Sequence, residues 1–162
     1  MRSATEWFEI YGTSHKNPVN KAIHWVCIPV IMLSTLGLFQ AIPTPIEHLP
    51  MLHWGTLVVA ASLVFYARLS WTIALGMALV AASCLAINEL IVQAGLPVLW
   101  VSVGLFGAAW LVQFIGHKIE GKKPSFFQDL QFLLVGPAWL LQFVYQRVGV
   151  PVETWRGAMA RG

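Results

Sequence analysis

The sequence contains little charge. Lys and Arg contribute 10 of the 162 residues and Asp and Glu contribute 7, so that charged residues make up 10% of the chain. Soluble domains carry about 25% charged residues. With 57% hydrophobic residues and a mean hydropathy of +0.69, the composition excludes an ordinary soluble globule and indicates an integral membrane protein.

Cysteine is also scarce. The chain has two cysteines, Cys27 and Cys84, and both fall in long apolar stretches, so we expect no disulfide framework. The net charge of +3 does not indicate a nucleic-acid partner, because the basic residues are scattered around apolar segments rather than gathered in one patch.

Long uncharged stretches dominate what is present. Five stretches lack Asp, Glu, Lys and Arg: residues 22–46, 48–67, 69–88, 90–117 and 130–146. A helix that crosses a bilayer needs about 20 mostly apolar residues, so the first four are long enough and the last is marginal. We therefore predict an all-α fold, an integral membrane helical bundle in a single domain over residues 1–162. The expected helices cover about 18–39, 52–67, 70–92, 98–119 and 126–146.

Basic residues alternate between the two ends of the predicted helices. With both termini in the cytoplasm, every Lys and Arg before residue 124 falls on the cytoplasmic side, as the positive-inside rule requires. A fifth crossing would carry Arg147, Arg156 and Arg161 outside, and Gly136-Pro137 interrupts that stretch. The sequence thus predicts four transmembrane helices plus a re-entrant or interfacial C-terminal helical segment, in a bacterial inner membrane or the endoplasmic reticulum.

Three of the five histidines meet at the cytoplasmic face in this topology. His15 and His24 lie at the start of the first spanning helix, and His117 lies at the end of the fourth. On one unbroken helix, nine residues would put His15 and His24 on opposite sides. Asn17-Pro18 is typical of a helix start, however, and lets His15 fold back. Asn20 shares the face of His24, one turn earlier.

A polar stripe on the fourth helix adds to this group. Gln113, His117 and Glu120 recur at i, i+4 and i+7 and therefore share one face. Three imidazoles, with Glu120 as a further candidate, suit a transition metal and leave positions for a substrate, but spacing does not choose between zinc and iron. The alternatives are a single hydrogen bond from each histidine to a neighbouring helix, a structural zinc site, or a metal or proton path in a transport protein.

Two further groups have simpler interpretations. His48 and His53 belong to the opposite face, where Asn88 and Glu89 are candidates to pair with them in a second polar cluster. Lys118 stands with two other lysines after the fourth helix. That cluster sets the topology, or it attracts an anionic head group near the histidines.

Two blocks of the sequence resemble a known family. The first is YGTSHKNPVNKAIH, residues 11–24, followed by Ile28-Pro29; the second is QFIGHKIEG, residues 113–121, followed by Pro124, Asp129 and Gly136-Pro137. Both are similar to blocks of the 2-hydroxy fatty acid dioxygenase family. These are small multi-pass membrane proteins named for the metabolism of phytosphingosine to odd-numbered fatty acids.

The resemblance implies an Fe(II)-dependent α-oxidation, in which a long-chain 2-hydroxy fatty acid and O₂ give CO₂ and the fatty acid one carbon shorter. It also implies that His15, His24 and His117 serve the iron. We expect Glu120 to be a fourth ligand or a partner of the ligands. We expect Asn20, Gln113 and Lys118 to contact the substrate, whose acyl tail would lie between apolar helices. The alternative is a membrane metal-binding or transport protein with a structural histidine site, in which zinc takes the place of iron.

Overall fold

The computed structural model of the chain describes residues 2–44, 52–124 and 131–152. Within these ranges the chain forms six α-helices and no strand, which confirms the all-helical prediction for this part of the chain. The helices are α1 (Ala4–Gly12), α2 (Pro18–Gln40), α3 (Trp54–Leu69), α4 (Trp71–Gln93), α5 (Val98–Glu120) and α6 (Phe132–Val148). The predictions on His48, Asp129, Arg156, Arg161 and a helix start at residue 126 lie outside the described residues.

Three of these helices, α2, α4 and α5, are long and apolar enough to cross a membrane, and each has 23 residues. Helix α3 is apolar but has only 16 residues, and α6 has 17 with Pro137 inside it. Large apolar side chains face outward, with Leu79 71% and Trp100 70% exposed. These findings indicate a membrane protein, while the number of crossings and the side of the termini stay predictions.

The structure contains one helix, α1, that was not expected before Pro18. It begins with a capping box, in which Ser3 Oγ accepts from the Glu6 N–H at 3.2 Å and the Glu6 carboxylate accepts from the Ser3 N–H at 2.6 Å. The Ser-x-x-Glu spacing is the sequence signal for this start. Helix α1 packs on α6 through Trp7 and Phe132, whose ring centroids are 5.2 Å apart.

Helix α2 begins at the Asn17-Pro18 pair. Asn17 Oδ1 accepts a hydrogen bond from the Val19 N–H at 2.9 Å, and Pro18 is the first helical residue. Because α1 ends at Gly12 and Asn17 has an extended backbone, residues 13–17 form a turn between the two helices. This turn brings His15 back beside the first turns of α2.

Helices α2 and α5 are antiparallel neighbours in close contact. Gly116, near the end of α5, lies against Asn20, near the start of α2. At the other end, a Cβ atom on Gly37 of α2 would clash with the side chain of Ser102 of α5. Glycine at both contacts lets the two backbones approach closely. The pairing places the first turns of α2 beside the last turns of α5.

Candidate metal centre

Three buried histidines converge where α2 and α5 meet the turn after α1. His15 comes from the turn, His24 from α2 and His117 from α5, and their side chains are only 1%, 1% and 5% exposed. One ring nitrogen from each lies within 4.8 Å of the other two. The structure therefore brings together the three residues that the sequence predicts as metal ligands.

His15 and His24 are oriented by the same local arrangement. His15 Nδ1 lies 2.7 Å from the carbonyl oxygen of Tyr11, and His24 Nδ1 lies 2.8 Å from that of Asn20. A carbonyl oxygen only accepts, so each Nδ1 carries the proton and donates it, which leaves each Nε2 with a free lone pair. This is the arrangement in which histidine binds metals through Nε2.

The two Nε2 atoms face each other at 2.9 Å. With both protons on Nδ1, two lone pairs point into the same space and no hydrogen lies between them. Burial lowers the pKa of His15 to about 4, so this ring is neutral near pH 7 and does not supply a shared proton. A cation coordinated by both nitrogens removes the repulsion, and the pair therefore fits a metal ion.

His117 supplies the third imidazole of the group. Among the described residues, its Nδ1 atom is buried and has no hydrogen-bond partner. A buried polar atom without a partner costs about 1–3 kcal/mol. Its ring centroid lies 4.9 Å from that of His24 and 5.2 Å from that of His15. A metal ion bound by this Nδ1 would offset that cost.

Glu120 connects the turn of residues 13–17 to the end of α5 by hydrogen bonds. Its Oε1 accepts from the Lys16 N–H at 2.8 Å, and its Oε2 accepts from the Asn17 N–H at 2.9 Å and from Asn20 Nδ2 at 3.1 Å. Lys122 adds a bond from Nζ to the Thr13 carbonyl oxygen at 2.9 Å. These bonds account for the return of His15, since they hold the turn on both sides of it.

The three predicted substrate residues take different positions. Asn20 is fully buried, and its Nδ2 donates to the Ser14 carbonyl oxygen at 3.2 Å as well as to Glu120. Gln113 is 5% exposed and lies one turn before His117 on the same face of α5. Lys118 is exposed, because it follows buried His117 directly and lies about 100° further round the helix.

Two aromatic residues enclose the site, and neither has a role in the sequence predictions. The Tyr11 ring stacks on the His15 ring with centroids 4.1 Å apart and planes at 18°. Trp139 of α6 lies 5.4 Å from His15 and 5.3 Å from Tyr11, measured between ring centroids. Tyr11 begins the first of the two blocks that resemble the family, but nothing in its spacing indicates the stack on His15.

The second polar cluster, at the far end of the bundle, consists of hydrogen bonds made by residues of α2 and α4. Glu89 accepts from Gln40 Nε2 at 3.4 Å and from Gln93 Nε2 at 3.1 Å. Asn88 donates to the Leu33 carbonyl oxygen at 2.9 Å. The bonds to Gln40 and Leu33 join α2 to α4, and His53 is the N-cap residue of α3.

Gly116→Ala tests the contact that aligns α2 with α5. A Cβ atom there would lie 2.5 Å from Asn20 Oδ1, and Asn20 cannot retreat without losing its bonds to Ser14 and Glu120. We expect a loss of about 1–3 kcal/mol in the free energy of unfolding and weaker metal binding, measured by denaturant titration and metal analysis. Gly107→Ala is the matched control, because a Cβ at Gly107 meets nothing within 4 Å. Equal effects of the two changes would contradict the prediction.

Comparison with known proteins places the chain in a family. A search of curated proteins and a search of solved structures each found no match. A family model described as 2-hydroxy-palmitic acid dioxygenase Mpo1-like matches residues 1–148, a range that includes all three histidines. The chain therefore belongs to the 2-hydroxy-palmitic acid dioxygenase Mpo1-like family.

Proposed function

We propose that this chain is an Fe(II)-dependent dioxygenase that converts a long-chain 2-hydroxy fatty acid to the fatty acid one carbon shorter. The observation that carries the proposal is the convergence of three buried imidazoles. The Nε2 atoms of two of them, His15 and His24, lie 2.9 Å apart. Family membership supports the substrate class. Imidazole nitrogens suit iron, and three of them leave coordination positions open for a substrate and O₂.

The proposed reaction balances without an external reductant. A 2-hydroxy acid, R–CH(OH)–COOH, and one O₂ give R–COOH, CO₂ and one H₂O. The C1–C2 bond breaks, C1 leaves as CO₂, and C2 is oxidised to the new carboxyl carbon. Bound ferrous iron would supply the one-electron chemistry that allows O₂ to react with an organic substrate.

Residues around the site orient the histidines that would hold the iron. The carbonyl oxygens of Tyr11 and Asn20 fix the two imidazoles, and Glu120 holds the turn that carries His15. We assign Glu120 this positioning role rather than that of a ligand, because three N–H donors already occupy its two oxygens. The surrounding aromatic rings keep water away from the site.

Gln113 is the residue that we expect to select a 2-hydroxy acid. Its Oε1 atom is buried and has no hydrogen-bond partner among the described residues. An amide oxygen only accepts, so it requires a donor, and the substrate's 2-hydroxyl is a donor that a plain fatty acid lacks. A site that is built to bond a hydroxyl rejects an analogue without it, by about 10⁴-fold or more in strong cases.

We further propose that the histidine end of the bundle faces the cytoplasm, with both termini on that side. Lys16, Lys21, Lys118 and Lys122 lie at this end of α2 and α5, which agrees with the cytoplasmic preference of basic residues. A reporter fused after Gly162 is expected on the cytoplasmic side.

The test of the proposed function is oxygen uptake by purified protein loaded with Fe²⁺. We expect 2-hydroxypalmitate to give equal amounts of consumed O₂, released CO₂ and pentadecanoate, and palmitate to give none. Gln113→Leu should reduce the preference for the hydroxylated acid in binding as well as in turnover. Folded, iron-loaded protein that consumes no oxygen with 2-hydroxypalmitate would show that the proposed function is wrong.

A further inference from the structure

The bundle contains a cavity beyond the histidines. Its volume is about 340 Å³, and its walls come from the five helices α2 to α6. Ile31 of α2, Met77 and Ala81 of α4, Trp110 of α5 and Pro137 of α6 contribute to these walls. None of the three histidines lines it, so the cavity is a space separate from the candidate metal centre.

The cavity wall fits an apolar occupant. Three lining residues, Thr35, Ser62 and Tyr66, carry a hydroxyl group. Ser62 donates to the Val58 carbonyl oxygen at 2.8 Å, and Tyr66 donates to the Leu134 carbonyl oxygen at 2.8 Å. Two of the three hydroxyls are thus bonded to the backbone, and most of the remaining wall is aliphatic or aromatic. A long hydrocarbon chain fits such a wall, because the hydrocarbon has no groups that need hydrogen bonds.

The cavity is aligned with the histidines along two helices. On α2, Ile31 lies seven residues after His24, or about 10 Å along the axis at 1.5 Å per residue. On α5, Trp110 lies seven residues before His117, and Gln113 stands between them with its buried, unpartnered Oε1. Along α5 the histidine comes first, then polar Gln113, then the apolar cavity. A 2-hydroxy fatty acid has the same order of groups: a carboxylate, a hydroxyl and an apolar chain.

We propose that this cavity holds the acyl chain of the substrate, so that its volume sets the preferred chain length; the inference rests on the proposed function. A cavity of about 150 Å³ accepts benzene, with six carbons. By that scale, 340 Å³ accommodates on the order of a dozen carbons. The chain must also cover the distance from the histidines to Ile31, which makes a long-chain acid the fitting substrate and leaves shorter acids with part of the cavity unfilled.

A second apolar groove offers a competing location. It lies between α2 and α5 and is lined by residues that include Val26 and Val112, whose side chains are 66% and 41% exposed. Since these side chains face outward, we expect membrane lipid to cover the groove. The acyl chain is therefore placed in the cavity among the five helices, which is aligned with the histidines, and the outer groove becomes an outcome of the test.

The first experiment narrows the cavity with Ala81→Phe and measures binding to metal-free protein in detergent by displacement of a fluorescent fatty acid. Each buried CH₂ contributes about fourfold in affinity. We therefore expect 2-hydroxypalmitate to bind at least about tenfold more weakly, and 2-hydroxydecanoate to change by less than about twofold. Ala82→Phe is the matched control, because Ala82 is the next residue on α4 and is exposed. Unchanged dependence on chain length in folded Ala81→Phe protein overturns the proposal.

The second experiment uses the unaltered protein, so it does not depend on a variant that folds. A 2-hydroxypalmitate analogue with a diazirine at its ω end is photo-activated, and the labelled residues are mapped by mass spectrometry. We expect labels on α3 and α4, at residues such as Ser62, Met77 and Ala81. Labels confined to Val26 and Val112 would place the chain in the outer groove and overturn the proposal.

Competition separates the substrate's chain from that of a membrane lipid. Excess 2-hydroxypalmitate should abolish the labelling of the cavity, whereas excess phosphatidylcholine should not. Displacement by phosphatidylcholine alone would identify a lipid site and overturn the proposal. The first experiment uses metal-free protein, so it measures chain binding independently of turnover. If the chain binds in the cavity but the folded, iron-loaded protein consumes no oxygen, the proposed function is wrong and the acyl site stands.

Discussion

Replacing His24 with alanine is expected to weaken iron binding by more than a hundredfold and to reduce turnover of 2-hydroxypalmitate below detection. His24 contributes one of the two Nε2 atoms that face each other at 2.9 Å. Loss of a residue that only orients a ligand costs about 10–100-fold in metal affinity, so the loss of a ligand exceeds that range. Metal analysis and oxygen uptake on the same preparation measure both effects.

His53→Ala is the matched control for this change. His53 precedes α3 and does not belong to the group of three histidines that could hold a metal, so this variant should keep its iron and its turnover. Full iron content in His24→Ala protein would contradict the assignment of His24 as a ligand. If the variant loses its metal and unfolds, and if zinc restores the fold as well as iron does, the group is a structural metal site.

Replacing Glu120 with glutamine is expected to lower iron affinity by about 10–100-fold, the cost of removing a group that positions a ligand. The new amide group turns N–H donors toward a turn that already presents the N–H groups of Lys16 and Asn17. The turn should loosen, and hydrogen exchange at these two amides should accelerate. Exchange measured by mass spectrometry, together with iron titration, tests the prediction.

Glu89→Gln provides the comparison for Glu120→Gln. Glu89 also accepts hydrogen bonds from amide side chains, but it does so at the far end of α4. Its replacement should leave iron affinity and the exchange of residues 16 and 17 unchanged. A loss of iron in Glu120→Gln protein without faster exchange would indicate that the carboxylate binds the metal directly.

The elements of the bundle are predictable because their signals are local. Uncharged stretches of about 20 residues indicate the long helices, and Asn17-Pro18 indicates the start of α2. Helix α1 has a signal of the same kind, the Ser3-x-x-Glu6 spacing, but with nine residues it is too short to be recognised by its hydrophobicity. Local patterns therefore account for most of the secondary structure.

The convergence of the histidines is predictable for a different reason. Basic residues assign the ends of the helices to one side, which brings His24 and His117 together although 93 residues separate them in the sequence. The contacts that fix His15 are not predictable in this way, because they depend on side-chain geometry: Glu120 holds the adjacent Lys16 N–H, and the Tyr11 ring stacks on His15. The cavity depends on the packing of five helices, which no single segment encodes.

The bonds that orient His15 and His24 end on main-chain oxygens, four residues earlier in each case. Every amino acid supplies that oxygen, so no substitution at position 11 or 20 can delete the acceptor itself. The backbone therefore keeps the proton on Nδ1, while the side chains of Tyr11 and Asn20 make other contacts, the stack on His15 and the bond to Glu120. In this chain, a substitution at position 11 or 20 therefore acts on the site through side-chain contacts, and not through the bond that sets the tautomer of each imidazole.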